Sequence, residues 1–459
     1  MTSFENCTYI TPSDAEGFSE ISSQASKASG IPEESHPQSI HSHRFHGLHR
    51  KTPGESAVEA FTQRCITETP NDPKMNELLH SFNSDRFVIL PGLCDVHVHF
   101  REPGLSYKET IATGCAAAAH GGFTAVGAMP NLDPVPDSLE HLAVEESLIA
   151  RDATIAVYPY GSITVGEKGE QLSDIAGMAP RVLAFSDDGM GVQDPAIMRD
   201  AMLLAKEHGK IIAAHCEDAA LKGDGYINDG EYAHTHGHRG IPVESEWREL
   251  ERDLELARDT GAAFHACHVS CVESFDLVRA AKADGVDVTC ETAPHYLTLD
   301  DSMLEEAGHF KMNPPLRSPE NREALLEAVA DGTVDMIATD HAPHSAEEKS
   351  RGLEGSAFGI VGLETSFPVL YTQLVLSGVI DLEHLIDLMA VAPRERFSIP
   401  LGNDFTIWDL HEQYQINPRD FLSKGTATPF AGWSVYGACK LTVFGGKVVW
   451  IDAAGEDRA

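Results

Sequence analysis

Between Phe87 and His344 the chain repeats one pattern eight times: a short apolar or β-branched run that ends in polar residues. Helix-like stretches separate most of these runs, and several begin at an Asp or Ser cap and end at Gly. Strands that alternate with helices predict a parallel sheet, and eight such units over about 260 residues predict a (β/α)8 barrel. The runs are FVILPGLCDVHVHF, FTAVGAMPN, TIAVYPYGSIT, RVLAFSDDG, KIIAAHCED, AAFHACHVS, VDVTCETAPHY and VDMIATDHAPH.

The alternative α/β architecture is a doubly wound sheet, but no Gly-x-Gly-x-x-Gly follows the first strand. We therefore assign 87–400 to the barrel, which ends in helical stretches at 363–397. Residues 401–459 contain FTIWDL, WSVYGA and KLTVFGGKVVWID, which read as strands of a small β-domain.

The first 86 residues have a different texture, rich in Ser, Pro, Gly, Glu and His and without a sustained period of 2 or 3.6. Such a segment buries too little apolar area to offset the entropy lost on ordering. We predict that 1–86 is a low-complexity, largely disordered or atypical segment.

Charge and cysteine usage narrow the class of protein. The formal net charge is 34 − 71 = −37, which argues against binding to nucleic acid or to anionic membranes. The nine cysteines form no Cys-x-x-Cys pair and fit reduced thiols in the cytosol. The chain has no run near the roughly 18 apolar residues of a membrane span, and no secretory signal. A cytoplasmic location is the prediction.

Polar residues at the ends of five predicted strands are the candidate site, because the carboxyl ends of barrel strands meet at one mouth. The period of two places His97 and His99 on one face of the first strand. Asp187 and Asp188 point opposite ways, and spacing alone does not decide which faces the mouth. The other candidates are His215, His268 and Asp340.

Neutral imidazoles and carboxylates suit Zn²⁺, Mn²⁺ or a similar ion, and two ions with a bridging carboxylate would use the whole set. A single histidine after an apolar run is more often a hydrogen-bonded core residue, so only the set predicts a metal site. Other histidines fail this test: His41 and His43 follow no strand, 234–238 reads as an exposed loop, and His265 falls on the other strand face.

The ordered motifs resemble those of bacterial type I dihydroorotases, members of the amidohydrolase superfamily. The resemblance spans about three quarters of the chain and implies reversible cyclisation of N-carbamoyl-L-aspartate to L-5,6-dihydroorotate in pyrimidine (UMP) synthesis. The motifs are PGLCDVHVHFREPG, GGFTAVGAMPNLDPVPDS, FSDDGMGVQD, AHCED, CHVS, ETAPHY, KMNPPLRS, ATDHAPH and FGIVGLET.

The resemblance also implies two Zn²⁺ ions per chain and a role for each candidate. In SDDG the bridging acid of the family is the one before Gly, which is Asp188, and Asp340 doubles as the catalytic proton carrier. The implied metal ligands are His97, His99, Asp188, His215, His268 and Asp340.

Substrate contacts follow from the same motifs. A guanidinium grips a carboxylate in bidentate fashion, so Arg101 of FREPG suits the carboxylate of the implied substrate. The resemblance adds Asn131 and His344 to that grip. It adds Asn313 and the backbone of Phe358 and Gly359 for the ring edge.

Members of this family open with several short strands that pair with the C-terminal ones, and here only RFVILPG resembles one of them. We therefore expect an incomplete β-domain whose C-terminal strands lack partners and expose an edge. Two alternative functions remain: another cyclic amidohydrolase (hydantoinase, dihydropyrimidinase or allantoinase), or a non-catalytic scaffold for aspartate transcarbamoylase. The expected partners are the small-molecule substrate, a second copy of the chain and, as a further candidate, aspartate transcarbamoylase.

Overall fold

A computed structural model describes residues 86–452 together with Leu78 and Phe82. The prediction of a disordered or atypical segment over 1–86 falls almost entirely outside these described residues. The strands are β1 (Phe87–Pro91), β2 (Leu93–Val98), β3 (Phe123–Ala128), β4 (Ala156–Pro159), β5 (Ile212–Ala214), β6 (Ile227–Asn228), β7 (Gly240–Ile241), β8 (Phe264–Ala266), β9 (Val288–Thr292), β10 (Met336–Ile337), β11 (Phe405–Gln415), β12 (Ser434–Phe444) and β13 (Lys447–Ile451).

Seven of the parallel strands, together with Phe185, form a closed ring, whereas β6 and β7 pair separately. One arc runs β2–β3–β4 and the other β5–β8–β9–β10, every pair parallel. Phe185 joins the arcs, because it bridges Gly161 after β4 on one side and Ile212 of β5 on the other. A parallel bridge from Val98 to His341 closes the ring. All eight predicted runs contribute a strand or a bridge, and the predicted (β/α)8 barrel is confirmed.

Helices alternate with these strands. Typical caps define them: Asp194 caps α4 with Pro195 in its first turn, and α7 ends at Gly261 in the left-handed conformation. The α-helices are α1 (Ile111–His120), α2 (Leu139–Asp152), α3 (Ile175–Met178), α4 (Pro195–Glu207), α5 (Ala219–Lys222), α6 (Glu231–His236), α7 (Glu244–Thr260), α8 (Val272–Ala283), α9 (Pro294–Thr298), α10 (Pro319–Ala330), α11 (Ala346–Lys349), α12 (Gly352–Gly355), α13 (Ser366–Leu370), α14 (Leu382–Ile386) and α15 (Ala392–Phe397).

Two further helical features are π-helical turns. Tyr371–Val375 continues α13, and Asp387–Val391 links α14 to α15. None of the helices that the structure describes is long and apolar enough to cross a membrane.

The small sheet is antiparallel, in the order β1–β11–β12–β13. The segments WSVYGA and KLTVF, predicted as separate strands, form the single eleven-residue strand β12. β1 pairs with β11 from Phe87 opposite Asp409 to Pro91 opposite Phe405. The expectation that the C-terminal strands lack partners is therefore wrong for β11, which is paired on both sides.

The sheet is fixed to the barrel where β1 runs into β2. At Gly92 a Cβ atom would lie 2.2 Å from Oγ1 of Thr124, so only glycine allows this close approach. The buried Arg394 donates to the Gly92 carbonyl oxygen at 3.1 Å and to Thr124 Oγ1 at 2.8 Å. These contacts lie at the amino-terminal end of the barrel, and the predicted site residues lie at the opposite end.

Candidate active site and metal centre

The ends of β2 and β10 bring three of the predicted ligands together. Nε2 of His99 lies 3.2 Å from Oδ1 of Asp340 and 3.4 Å from Oδ2 of Asp188. Nε2 of His97 lies 3.3 Å from Oδ1 of Asp188 and 3.7 Å from Oδ1 of Asp340. All four side chains are buried. His97, His99 and Asp188 form one group whose ligand atoms can hold a metal ion.

A second group shares Asp188. Nε2 of His268, after β8, lies 3.5 Å from Oδ1 of Asp188 and 3.0 Å from Nδ1 of His215, after β5. Asp188, His215 and His268 form this second candidate group. One carboxylate therefore lies between two sets of imidazoles, which is the arrangement that a pair of bridged ions needs.

The structure shows which of the two neighbouring aspartates, Asp187 or Asp188, faces the mouth of the barrel. The backbone N–H groups of Ile163 and Thr164 donate to Oδ1 of Asp187 at 2.7 and 3.0 Å, and the Thr164 hydroxyl donates to its other oxygen. Both carboxylate oxygens of Asp187 are thus hydrogen-bonded to the loop after β4. Asp188 turns the other way, into the cluster of imidazoles.

Unpaired atoms show that this cluster fits a cation. Nε2 of His97 and Oδ1 of Asp188 are buried, and although they lie 3.3 Å apart neither forms a hydrogen bond of acceptable geometry within the described part of the chain. Burying polar atoms without a partner costs free energy unless a ligand satisfies them. Four imidazoles and two carboxylates are a donor set suited to a borderline divalent ion such as Zn²⁺.

Glu291 of β9 supports this cluster and was missed by the sequence reasoning. Its carboxylate lies 2.7 Å from Nδ1 of His97 and 3.1 Å from Nε2 of His265, and accepts from the backbone N–H of His268. A carboxylate on Nδ1 fixes the tautomer and leaves Nε2 free to bind a metal. Burial raises the pKa of Glu291, but the two imidazoles lower it further, so the net pKa lies well below its usual range.

We expect Glu291→Gln to weaken metal affinity by about 10- to 100-fold, because the charge that orients His97 is lost while the side chain keeps its shape. Metal retained after dialysis against graded chelator concentrations measures this effect. Glu145→Gln is the control, since Glu145 is equally buried but lies on the outer helix α2. Equal metal retention in both variants would refute the support role of Glu291.

Glu217 plays the corresponding part for His215. Its Oε2 lies 3.5 Å from Nε2 of His215, 2.5 Å from Nζ of Lys222 and 3.1 Å from Nδ2 of Asn313. Burial raises the pKa of Glu217, but His215 and Lys222 together lower it to about 2. A carboxylate at Nε2 leaves Nδ1 of His215 facing His268 and Asp188.

Backbone strain is concentrated around the cluster. Five non-glycine residues of the described chain have positive φ, and among them Arg101 (59°), His268 (33°) and Asp340 (48°) are predicted site residues. Each position costs free energy and persists only because the surrounding packing enforces it.

Arg101 lies beside the cluster and is only 8% exposed. Nε donates to the Pro343 carbonyl oxygen at 3.4 Å, and Nη2 lies 3.5 Å from Nε2 of His344. Burial lowers the pKa of Arg101, whereas the charges of Asp340 and Asp188 raise it. Within the described residues no carboxylate forms an ion pair with this guanidinium and no hydrogen bond uses its Nη1, so the Nη1 side of the guanidinium is available to an anion.

His344 lies next to Arg101, and the imidazole of His344 is neutral. Nε2 lies 2.6 Å from the Phe358 carbonyl oxygen, to which it donates, and Nδ1 accepts from Nζ of Lys108 at 3.2 Å. Burial and the charges of Arg101 and Lys108 lower the pKa of His344 to about 3. The imidazole thus ties Phe358 to the arginine side of the site.

The other predicted contacts surround the same space. Nδ2 of Asn131 donates to the Asp188 carbonyl oxygen at 2.6 Å, and Nδ2 of Asn313 lies 3.3 Å from Nε2 of His215. Oδ1 of each asparagine is buried without a partner in the described structure. Gly359 has φ 123°, and a Cβ there would lie 2.7 Å from that of Ala342. All twelve predicted site residues are therefore brought to one end of the barrel.

The other histidines of the described chain remain outside both groups that share Asp188, whereas His41 and His43 lie outside the described residues. The prediction of an exposed loop at 234–238 is wrong in part, because His234 and His236 lie on the short helix α6, although both are exposed as expected. Nε2 of His234 lies 2.9 Å from Oδ1 of Asp229. His265 points to Thr289 and Glu291 instead.

Comparisons with known proteins give the family of this chain. The family model described as Dihydro-orotase-like matches residues 86–274. A dihydroorotase of Geobacillus sp. (strain WCH70) is 48% identical over 387 residues, which cover 81% of this chain and 91% of that protein. The chain belongs to the dihydroorotase family. A second dihydroorotase, from Bacillus caldolyticus, is 47% identical over 79% of this chain and 87% of its own length.

Solved structures agree with the fold of this dihydroorotase family member. An L-hydantoinase (dihydropyrimidinase) from Arthrobacter aurescens superposes with a TM-score of 0.70 at 25% identity, covering 79% of this chain and 85% of that one. A D-hydantoinase (dihydropyrimidinase) from Thermus sp. gives a TM-score of 0.69 at 25% identity, covering 80% and 86%. The family fold is thus the metal-dependent amidohydrolase barrel.

Proposed function

We propose that this chain is a dihydroorotase, which interconverts N-carbamoyl-L-aspartate and L-5,6-dihydroorotate by closing and opening a cyclic amide. One observation supports this substrate most strongly. The buried guanidinium of Arg101 lies beside the imidazole and carboxylate cluster without a carboxylate partner of its own among the described residues. A substrate that carries a carboxylate next to the reacting ring would supply that partner.

We further propose that the cluster would hold two Zn²⁺ ions, with Asp188 as a member of both ligand groups. His97, His99 and Asp340 would hold one ion, and His215 and His268 the other, each ligand oriented by its own contacts. Such ions, when bound, lower the pKa of water and polarise the amide carbonyl. Glu291 and Glu217 keep the ligand nitrogens of His97 and His215 directed into the cluster.

Asp340 is the proposed proton carrier. Burial raises the pKa of its carboxyl, but the contact with His99 and the neighbouring His97 lower it further, so the pKa lies below its usual value. An ionised carboxylate can accept a proton from the attacking water and deliver it to the leaving ring nitrogen. Ring closure follows the same path in reverse.

The substrate groups are assigned by position. Arg101 would bind the ring carboxylate together with Asn131, which is fixed by the Asp188 backbone. His344 would join them by turning its Nε2–H from the Phe358 carbonyl oxygen to the substrate. Asn313 and the backbone of Phe358 and Gly359 would contact the ring edge. His344 approaches with a neutral ring, so the positive charge offered to the carboxylate comes from Arg101.

The direct test is an assay of the purified chain with dihydroorotate, dihydrouracil, hydantoin and allantoin side by side, each with added Zn²⁺. We expect ring opening of dihydroorotate to dominate, since only this substrate places a carboxylate against Arg101. Preference for hydantoin or allantoin would instead indicate another cyclic amidohydrolase. Bound zinc without turnover of any substrate would indicate a non-catalytic scaffold.

Three further properties stay predictions. They are the association of identical chains, binding to aspartate transcarbamoylase and a cytoplasmic location. The first two are tested by measuring the mass of the purified protein in solution, alone and mixed with aspartate transcarbamoylase.

A further inference from the structure

Lys349, at the end of α11, is a buried lysine with an unusual set of contacts. Its side chain is 9% exposed, and Nζ donates to three backbone carbonyl oxygens: Lys311 at 3.0 Å, Ala357 at 2.8 Å and Gly359 at 2.6 Å. These bonds use all three N–H groups of the ammonium. Among the described residues no carboxylate forms an ion pair with it, so the three carbonyl groups are its direct partners and the neighbouring Glu348 adds only a longer-range attraction.

The three carbonyl groups belong to two separate segments of the proposed site. Lys311 stands two residues before Asn313, whereas Ala357 and Gly359 flank Phe358. The Lys311 carbonyl oxygen also accepts from the Gly359 backbone N–H at 3.0 Å. Lys349 therefore joins the segment that carries Asn313 to the segment that carries Phe358 and Gly359.

Burying a charge costs free energy, so we infer that the bonds of Lys349 stabilise an arrangement that the site needs. Burial and the neighbouring Lys311 ammonium lower the pKa of Lys349 to about 7. A solvated lysine at this position would avoid that cost. Two loops that contact one small ring must keep a fixed separation.

We propose that Lys349 is a positioning residue of this enzyme, which sets the distance between Asn313 and the Phe358–Gly359 backbone and thereby determines affinity for the ring of the substrate. This inference rests on the proposed dihydroorotase function. It assigns Lys349 no contact with substrate, metal or a reacting atom. Its loss should loosen the ring edge of the site and leave the metal cluster and Asp340 in place.

The test compares Lys349→Met with Lys210→Met by steady-state kinetics on dihydroorotate, together with metal content. Lys210 is the matched control, because it is a half-buried lysine whose Nζ donates to the Val182 carbonyl oxygen at 2.6 Å near the amino-terminal end of the barrel. We expect Lys349→Met to raise KM about tenfold, with kcat within threefold of the wild type and full metal content. Lys210→Met should leave KM unchanged.

Lys349→Gln keeps two donor N–H groups and should give an intermediate KM, which also serves if Lys349→Met fails to fold. An unchanged KM in Lys349→Gln and in any folded Lys349→Met, or a fall in kcat that follows loss of metal, would overturn the positioning role. A wild type that turns over no dihydroorotate would overturn the proposed function and this role together. An active wild type with unaltered KM in the Lys349 variants would overturn this role alone.

Discussion

Asp188→Ala should strip the protein of metal and lower kcat on dihydroorotate by roughly 1000-fold, since several kcal/mol of transition-state stabilisation depend on bound ions. Asp188 contacts His97, His99 and His268 at 3.3–3.5 Å and is the one carboxylate common to both ligand groups. His215→Ala, which removes a ligand from the second group alone, should lower the metal content less. Metal per chain, measured by elemental analysis after gel filtration, gives the result.

Asp187→Ala is the control for Asp188→Ala, because it removes the same group from the adjacent residue. Asp187 holds Ile163 and Thr164 and does not reach the imidazoles. We expect its replacement to lower the free energy of unfolding and to leave the metal content intact. Equal metal retention in the two aspartate variants would contradict the assignment of Asp188.

Arg101→Met should raise KM for dihydroorotate by about 30- to 1000-fold, which corresponds to the 2–4 kcal/mol of a buried, hydrogen-bonded charge pair. Metal content should stay at the wild-type level, since Arg101 contacts Pro343 and His344 and none of the predicted ligands. Steady-state kinetics with parallel metal analysis measures both quantities.

Arg394→Met is the matched control for this prediction. Arg394 is also a buried arginine that donates to backbone carbonyls, but it lies at the amino-terminal end of the barrel. The Arg394→Met variant should be less stable than the wild type and should have an unchanged KM. The same rise in KM in both variants would show that Arg101 acts through the fold and not through the substrate.

Local patterns predicted the barrel and the location of the cluster because both depend on short-range regularities. Alternation places His97 and His99 on one face of β2, and the strand ends bring the remaining ligands to the same mouth. The choice between Asp187 and Asp188 could not come from spacing. It depends on the loop after β4, whose Thr164 and Ile163 capture Asp187 from about twenty residues away in sequence.

Glu291 and Lys349, two of the residues that the sequence reasoning missed, escaped it for different physical reasons. Glu291 carries a signal that could have been read, because an acid inside a buried strand needs partners, and here they are imidazoles. Lys349 carries no such signal: it stands in the polar stretch SAEEKSRG, which looks solvated. Its burial follows from contact with Lys311, 38 residues away.

The small sheet shows a similar limit of sequence reasoning. Its strands were predicted from composition, but the pairing of β1 with β11 joins residues more than 300 positions apart. The two halves of β12 were read as separate strands although only Cys439 stands between them, and Gly437 lies within the first half. In the structure this glycine has φ 92° and continues the strand close to Tyr371 and Phe367.

The preference for a carboxylate-bearing ring is the central claim, and the ratio of kcat/KM for dihydroorotate to that for dihydrouracil tests it most directly. The two rings differ only in the carboxylate that Arg101 would bind. We predict a ratio of at least about 100 for the wild-type chain, which collapses toward 1 in Arg101→Met. Equal kcat/KM values for the two substrates in the wild type would contradict the account.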